Sequence, residues 1–285
     1  MSSITKTQKY GWTAVPRDAS ILLSPISENF STPAPDFDIQ SLLNFDGSSD
    51  ASLLKHSADF VKEKLSEATL NHSLRVYVYG AALVRHHFPT WKFSDWREAY
   101  YLSCLFHDIG TADFYLPQSK EEVDNKSKLS FEFKGGIVAR DFILQHAGVE
   151  DLADAVCEAV IRHQDVLVQG GNITIVGQVL QLATLIDNVS ANAHLISAAL
   201  VRHTITAFPR LKWSSCFVSV LHKEFETKPW CHSTTFERPG YNISAEEGKR
   251  LGVGLGDKGV IDEDGFEKSN FVSDVKGNME MNQFE

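Results

Sequence analysis

The stretch Ala99-Tyr100-Tyr101-Leu102-Ser103-Cys104-Leu105-Phe106-His107-Asp108-Ile109-Gly110 decides the fold. Ala99, Tyr100, Leu102, Ser103, Leu105 and Phe106 recur at helical spacing, and the run ends in two groups that an apolar core does not favour. Ser94 is the expected N-cap, with Arg97 where a capping box would carry an acid. Gly110 is the expected stop, letting the chain turn away. Neighbouring side chains on a helix point ~100° apart, so His107 and Asp108 can share one ion only at their common edge, near the helix end.

Outward from this dyad, every sustained pattern has a helical period. Leu53, Leu54, Phe60, Val61 and Leu65 predict a helix from residue 51, capped by Asp50 or Ser52. Leu74, Val78, Ala81, Ala82 and Arg85 predict a second over 71–87, stopped by Pro89. Further helices are expected over 131–146, closed by Gly148; over 151–164, capped by Asp151; over 173–194, long and apolar; and over 214–226. No run reads as a β-strand, so the fold class is all-α. Residues 1–50 carry Pro16, Pro25, Pro33 and Pro35 and read as an extended arm, with Trp12 and Val15 attached to the core. Residues 51–237 form the expected catalytic domain, and 238–285 a flexible acidic tail rich in glycine.

A hydrophobic fraction of 43% over 285 residues is enough for one large core. The net charge of -10 argues against a nucleic-acid or anionic-membrane partner. No apolar run approaches the ~18 residues of a membrane span, and Met1 to Tyr10 lack the apolar centre of a secretory signal. Cys104, Cys157, Cys216 and Cys231 form no C-x-x-C pair and read as reduced thiols, which points to a cytoplasmic protein, with the nucleus as the alternative.

Two more residues join the dyad. His72 lies near the start of the preceding helix. Asp187 sits among Leu182, Ala183, Leu185, Ile186 and Val189, where a bare carboxylate is expensive and needs a cation or a hydrogen-bond partner. Two imidazoles and two carboxylates, His72, His107, Asp108 and Asp187, suit Zn²⁺, with Fe²⁺ or Mn²⁺ as alternatives. Singly, each has a blander reading. A histidine on a half-apolar helix is commonly a hydrogen-bonded core residue, and Asp187 could instead pair with Arg162 or Lys134.

Five blocks reinforce the constellation: Gly11-Trp12-Thr13-Ala14-Val15-Pro16, Asn71-His72-Ser73-Leu74-Arg75, Cys104 to Thr111, Ser130-Phe131-Glu132-Phe133-Lys134-Gly135-Gly136, and Lys228-Pro229-Trp230-Cys231-His232-Ser233-Thr234. With them the chain resembles the HD-domain superfamily of metal-dependent hydrolases and, more closely, the fungal cyanamide hydratase (urea hydro-lyase) family. The resemblance implies an HD-type helical bundle and a single metal, Zn²⁺, on the four residues named. It further implies a homo-oligomer and hydration of cyanamide, or a related nitrile, to urea. Lys134 departs from the family pattern and leaves a charged nitrile open as substrate.

Cyanamide is a poor electrophile, so its hydration needs a strong nucleophile and a proton for the nitrile nitrogen. A bound Zn²⁺ lowers the pKa of its water from about 15.7 to about 7, which predicts attack by metal-bound hydroxide. Asp108 is the expected ligand and proton acceptor. His163, at a helix end, is the expected proton donor, with a structural hydrogen bond as the alternative. Glu132 is expected to fix the tautomer of a ligand histidine, Thr111 to touch substrate, and Lys134 to stand near the pocket. The rival reading is an HD-type phosphohydrolase, for which Arg75, Arg140, Arg162 and Lys134 could neutralise phosphate oxygens. A di-iron oxygenase would want more histidines than His146 and His163 between the dyad and Asp187. A non-enzymatic scaffold predicts a lost ligand, and none is lost.

Overall fold

A computed structural model describes residues 8–28, 32–168 and 170–236. Ten α-helices lie among them: α1 (Ala19–Glu28), α2 (Ile39–Leu43), α3 (Ala51–Lys64), α4 (Glu67–His87), α5 (Arg97–Phe106), α6 (Phe131–Ala147), α7 (Glu150–Arg162), α8 (Ile175–Val189), α9 (Ala198–Ala207) and α10 (Trp213–Thr227). The fold is all-α. A two-stranded antiparallel ribbon, β1 (Ala14–Pro16) with β2 (Asn172–Thr174), is the exception to the expectation of no strand; its register pairs Val15 with Ile173. Three residues a side are too few to leave an alternating pattern in the sequence. No helix among the described residues is long and apolar enough to cross a membrane.

Two helices form the axis. α8 is buried over all fifteen residues, and α4 over every residue from Arg75 to Val84. Ser66 caps α4 by accepting the Thr69 N–H, so the helix starts four residues before the expected Asn71. α4, α5 and α8 meet at Gly80, where a Cβ would lie 1.8 Å from the Tyr100 hydroxyl and 2.8 Å from Val179 Cγ1. That hydroxyl donates to the Val76 carbonyl of α4. α6 and α7 pack as an antiparallel hairpin against α5, turning at Gly148 with φ +65°.

The expected arm is more structured than its prolines suggest. α1 and α2 lie within residues 1–50, and Leu23, Ala34, Ile39 and Leu42 are buried in the main core. Trp12 donates to the Asp151 carbonyl. α2 has five residues, too few for a period to stand out, and α1 carries Pro25 inside it. α9 was also unanticipated. Two expected caps are absent: α5 starts after Trp96, with Ser94 inside a preceding 3₁₀ turn, and α7 starts after Val149, with Asp151 in its first turn. α8 ends at Val189, short of residue 194, because Ser190 and Asn192 adopt left-handed φ of +55° and +59°. Residues 237–285, which hold the expected tail, lie outside the described residues.

Candidate metal centre

The dyad is built by a helix end and a close approach. α5 finishes at Phe106, His107 is its C-cap, and Asp108 leads into a 3₁₀ turn, Ile109–Thr111. Gly110 is required there by contact rather than by a left-handed turn. A Cβ would sit 2.0 Å from the Phe131 carbonyl oxygen at the start of α6. Thr111 locks the turn, its hydroxyl donating to the Asp108 carbonyl at 2.7 Å. α4 brings His72, and the C-terminal end of α7 brings His163.

Each imidazole has its Nδ1 against an acceptor. His72 Nδ1 donates to Asp187 Oδ2 at 2.6 Å, His107 Nδ1 to the Cys104 carbonyl at 2.8 Å, and His163 Nδ1 to the Val160 carbonyl at 2.6 Å. A neutral imidazole that donates from Nδ1 carries a lone pair on Nε2. All three Nε2 atoms turn to one carboxylate. His107 and His72 lie 3.2 and 3.8 Å from Asp108 Oδ2, and His163 lies 4.0 Å from Oδ1. His107 Nε2 and Asp108 Oδ2 are buried without a hydrogen-bond partner. Ligand atoms of His72, His107 and Asp108 all fall within 4.8 Å of one another. Lone pairs crowded on a carboxylate with no donor among them are what a cation needs.

The electrostatics match. Burial pushes His72 down to about 4 against the pull of Asp187, and His163 down to about 3, helped by the charge of His107. Burial also opposes charge on His107 and Asp108, but the pair outweighs it: His107 is raised and Asp108 held at about 2. Without an ion, His107 and Asp108 each favour the charged form of the other. A metal would displace a proton from His107.

Asp187 stands behind His72, apart from this group. Arg75 grips both its oxygens, Nε to Oδ1 at 2.9 Å and Nη2 to Oδ2 at 2.8 Å, while Arg210 Nη1 reaches Oδ1 at 3.1 Å. Its partners are therefore Arg75, Arg210 and His72, and neither Arg162 nor Lys134. These charges hold its carboxyl well below the usual range in spite of burial.

Trp213, at the start of α10, stacks on His72 with centroids 4.1 Å apart and planes 12° apart. Its indole N–H donates to Asn188 Oδ1. A narrow cavity opens over the Nε2 edge, walled by Val166, Leu185 and Phe217 and by the polar Gln164, Thr184 and Asn188. It offers about 20 Å³ to the centres of water-sized molecules, against the 10–15 Å³ or so that a water needs.

Four expected roles do not match the placement, the first being Asp187 as a metal ligand: its oxygens are taken by His72, Arg75 and Arg210, outside the group of His72, His107 and Asp108. Glu132 accepts from His232 Nδ1 at 2.9 Å, and none of the converging histidines is its partner. Thr111 has its proton committed to Asp108, away from the cavity. Lys134 lies over the Tyr115 ring at 5.1 Å. His163 does face the site, but with a lone pair in place of the expected proton. Trp213, Arg210 and Gln164 went unread; only Gln164 left a signal, as the residue after His163 at a helix end.

Residues 69–191 match the HD domain family model. The span holds His72, the dyad, His163 and Asp187, and its class is that of the HD-domain proteins. The chain is also 37% identical over 228 residues to the cyanamide hydratases DDI2 and DDI3 of Saccharomyces cerevisiae, a stretch covering 80% of this chain and 92% of each relative. It belongs to the cyanamide hydratase family.

Proposed function

We propose that this chain adds water across the nitrile of cyanamide to give urea, at a divalent ion that His72, His107 and Asp108 would hold, with His163 facing the same carboxylate. The observation that carries the reading is the convergence of three imidazole lone pairs on one buried, donor-starved carboxylate. The ion is taken as Zn²⁺, with Fe²⁺ or Mn²⁺ suited by the same donors. When bound, it supplies an acidified water near neutral pH. Asp187 acts on the ion only through His72, fixing its tautomer and ring plane. The Cys104 and Val160 carbonyls do the same for His107 and His163.

One Asp108 oxygen would hold the ion; the other would accept a proton from the attacking water and hand it to the nitrile nitrogen. Asp108 is buried beside a cavity wall that includes Phe217, so water screens its charge little. A small, linear, neutral substrate suits the cavity. A phosphate ester does not, because no lysine or arginine lines it among the described residues. Arg75 is bound to Asp187, Arg140 to Asp154 and Glu150, and Arg162 to Glu158 and Asp165. A homo-oligomer, which rests on the family resemblance, and a place in the cytoplasm or nucleus, which rests on the cysteine pattern of the sequence, belong to the same proposal.

The test is one preparation offered cyanamide, aliphatic nitriles and nucleoside phosphates, with metal quantified on the same sample. Urea from cyanamide, about one ion per chain and no released phosphate are expected. Phosphate release without urea would replace the reading with the phosphohydrolase.

A further inference from the structure

Behind the cavity wall lies a buried polar cluster that the hydration chemistry leaves unused. Glu224 of α10 is fully buried. Its Oε1 accepts the Phe131 N–H at 2.8 Å and faces Lys228 Nζ at 2.7 Å. Lys228 Nζ also donates to the Leu129 carbonyl. Glu224 Oε2 takes the Ser233 hydroxyl at 2.7 Å, and Ser233 Oγ then meets the side-chain amide of Gln164 at 3.3 Å. Gln164 is buried and lines the cavity beside Asp108 and His163.

Proton counting decides which end of that amide faces the cavity. A serine hydroxyl has one proton, and a carboxylate can only accept. At 2.7 Å the Ser233 proton therefore belongs to Glu224, and Ser233 Oγ has only lone pairs left for Gln164. The Gln164 carbonyl against it would set acceptor on acceptor. The amide NH₂ there makes a proper hydrogen bond, and the two ends exchange by a half-turn about the last torsion. With NH₂ on Ser233, the carbonyl oxygen points into the cavity. The Thr184 hydroxyl, also in the lining, has its hydrogen committed to the Gln181 carbonyl.

We infer that Gln164, fixed by Ser233 and Glu224, presents its carbonyl oxygen to the cavity and selects nitriles that carry an N–H beside the C≡N group. Cyanamide, N≡C–NH₂, has such a donor; acetonitrile, of nearly the same size and shape, has none. The inference rests on the cyanamide reading and adds a residue for recognising the amino end.

The test compares wild type with Gln164→Met, measuring kcat/KM for cyanamide, the inhibition constant of acetonitrile, and metal content. We expect kcat/KM for cyanamide to fall roughly tenfold, the size of a lost buried hydrogen bond. Acetonitrile inhibition should hold within about twofold and metal content should not change. Ser233→Ala frees the amide to turn and should give a fall of roughly threefold with the same selectivity; it decides the matter if Gln164→Met fails to fold. Equal losses for both ligands, or no loss for cyanamide, would overturn the role of Gln164 while leaving the hydratase intact. Wild type that makes no urea from cyanamide sinks the underlying reading instead, and this inference with it.

Discussion

Asp108 and Asp187 are both buried, near one another, and on opposite sides of the same histidine ring, yet their surroundings are inverted. Asp187 has three cationic or N–H partners on its two oxygens: Arg75 twice, Arg210, and His72 Nδ1. Asp108 has an oxygen with no hydrogen-bond partner and three imidazole lone pairs turned on it. A saturated carboxylate is a structural anchor, because removing it strands two buried guanidinium groups. A starved one keeps its charge available for a cation or a proton. Residue type and burial do not separate these roles; the count of donors does.

The largest effect expected from breaking the contrast is in Asp108→Asn. Turnover of cyanamide should fall on the order of 10³-fold, with metal lost. A variant that keeps metal and rate would show the starved side to be idle. Asp187→Asn should act the other way round. It should lose about 3–5 kcal/mol of stability in denaturant titration and roughly 10–100-fold in metal affinity through the misplaced His72. Unchanged stability would mean that Arg75 and Arg210 do not need it.

A smaller effect is expected in the metal-free protein as pH falls. The unfolded chain takes protons on histidine near pH 6.5, whereas burial holds folded His72 at about 4 and His163 at about 3. Lowered histidines favour the unfolded chain below pH 6.5, so stability should decline from pH 7 to 4, by roughly 3 kcal/mol for His72 alone. His107, raised by Asp108, contributes in the opposite sense over the upper part of that range. Urea midpoints across this range measure the balance; stability that rises with acid would reverse the assignment. The smallest effect is the control, Lys134→Met. It should leave cyanamide kcat/KM within about twofold, because the side chain sits over Tyr115 and away from both aspartates.

The sequence disclosed one side of this contrast more readily than the other. His107-Asp108 at a helix end is a local pattern, and helical period set α4, α6 and α10 to within a few residues. The need of Asp187 for partners was legible from its apolar neighbours. Their identity was not, because Arg75 comes from another helix and Arg210 from the turn before α10, where Leu211 and Lys212 both take left-handed φ. Glu132 and Lys134 were misplaced because adjacency to a motif says nothing about which face of α6 meets the cavity. Caps failed where Trp96 and Val149 began helices without a side-chain acceptor.

The stack of Trp213 on His72 also sets an order of events during synthesis. His72 belongs to the first third of the chain, but its ring is held by Asp187 below and Trp213 above, and Asp187 in turn by Arg210. A nascent polypeptide that has left the ribosome only through α8 carries every candidate ligand and still lacks the clamp that aims one of them. The clamp on His72 is complete only once residue 213 is in place.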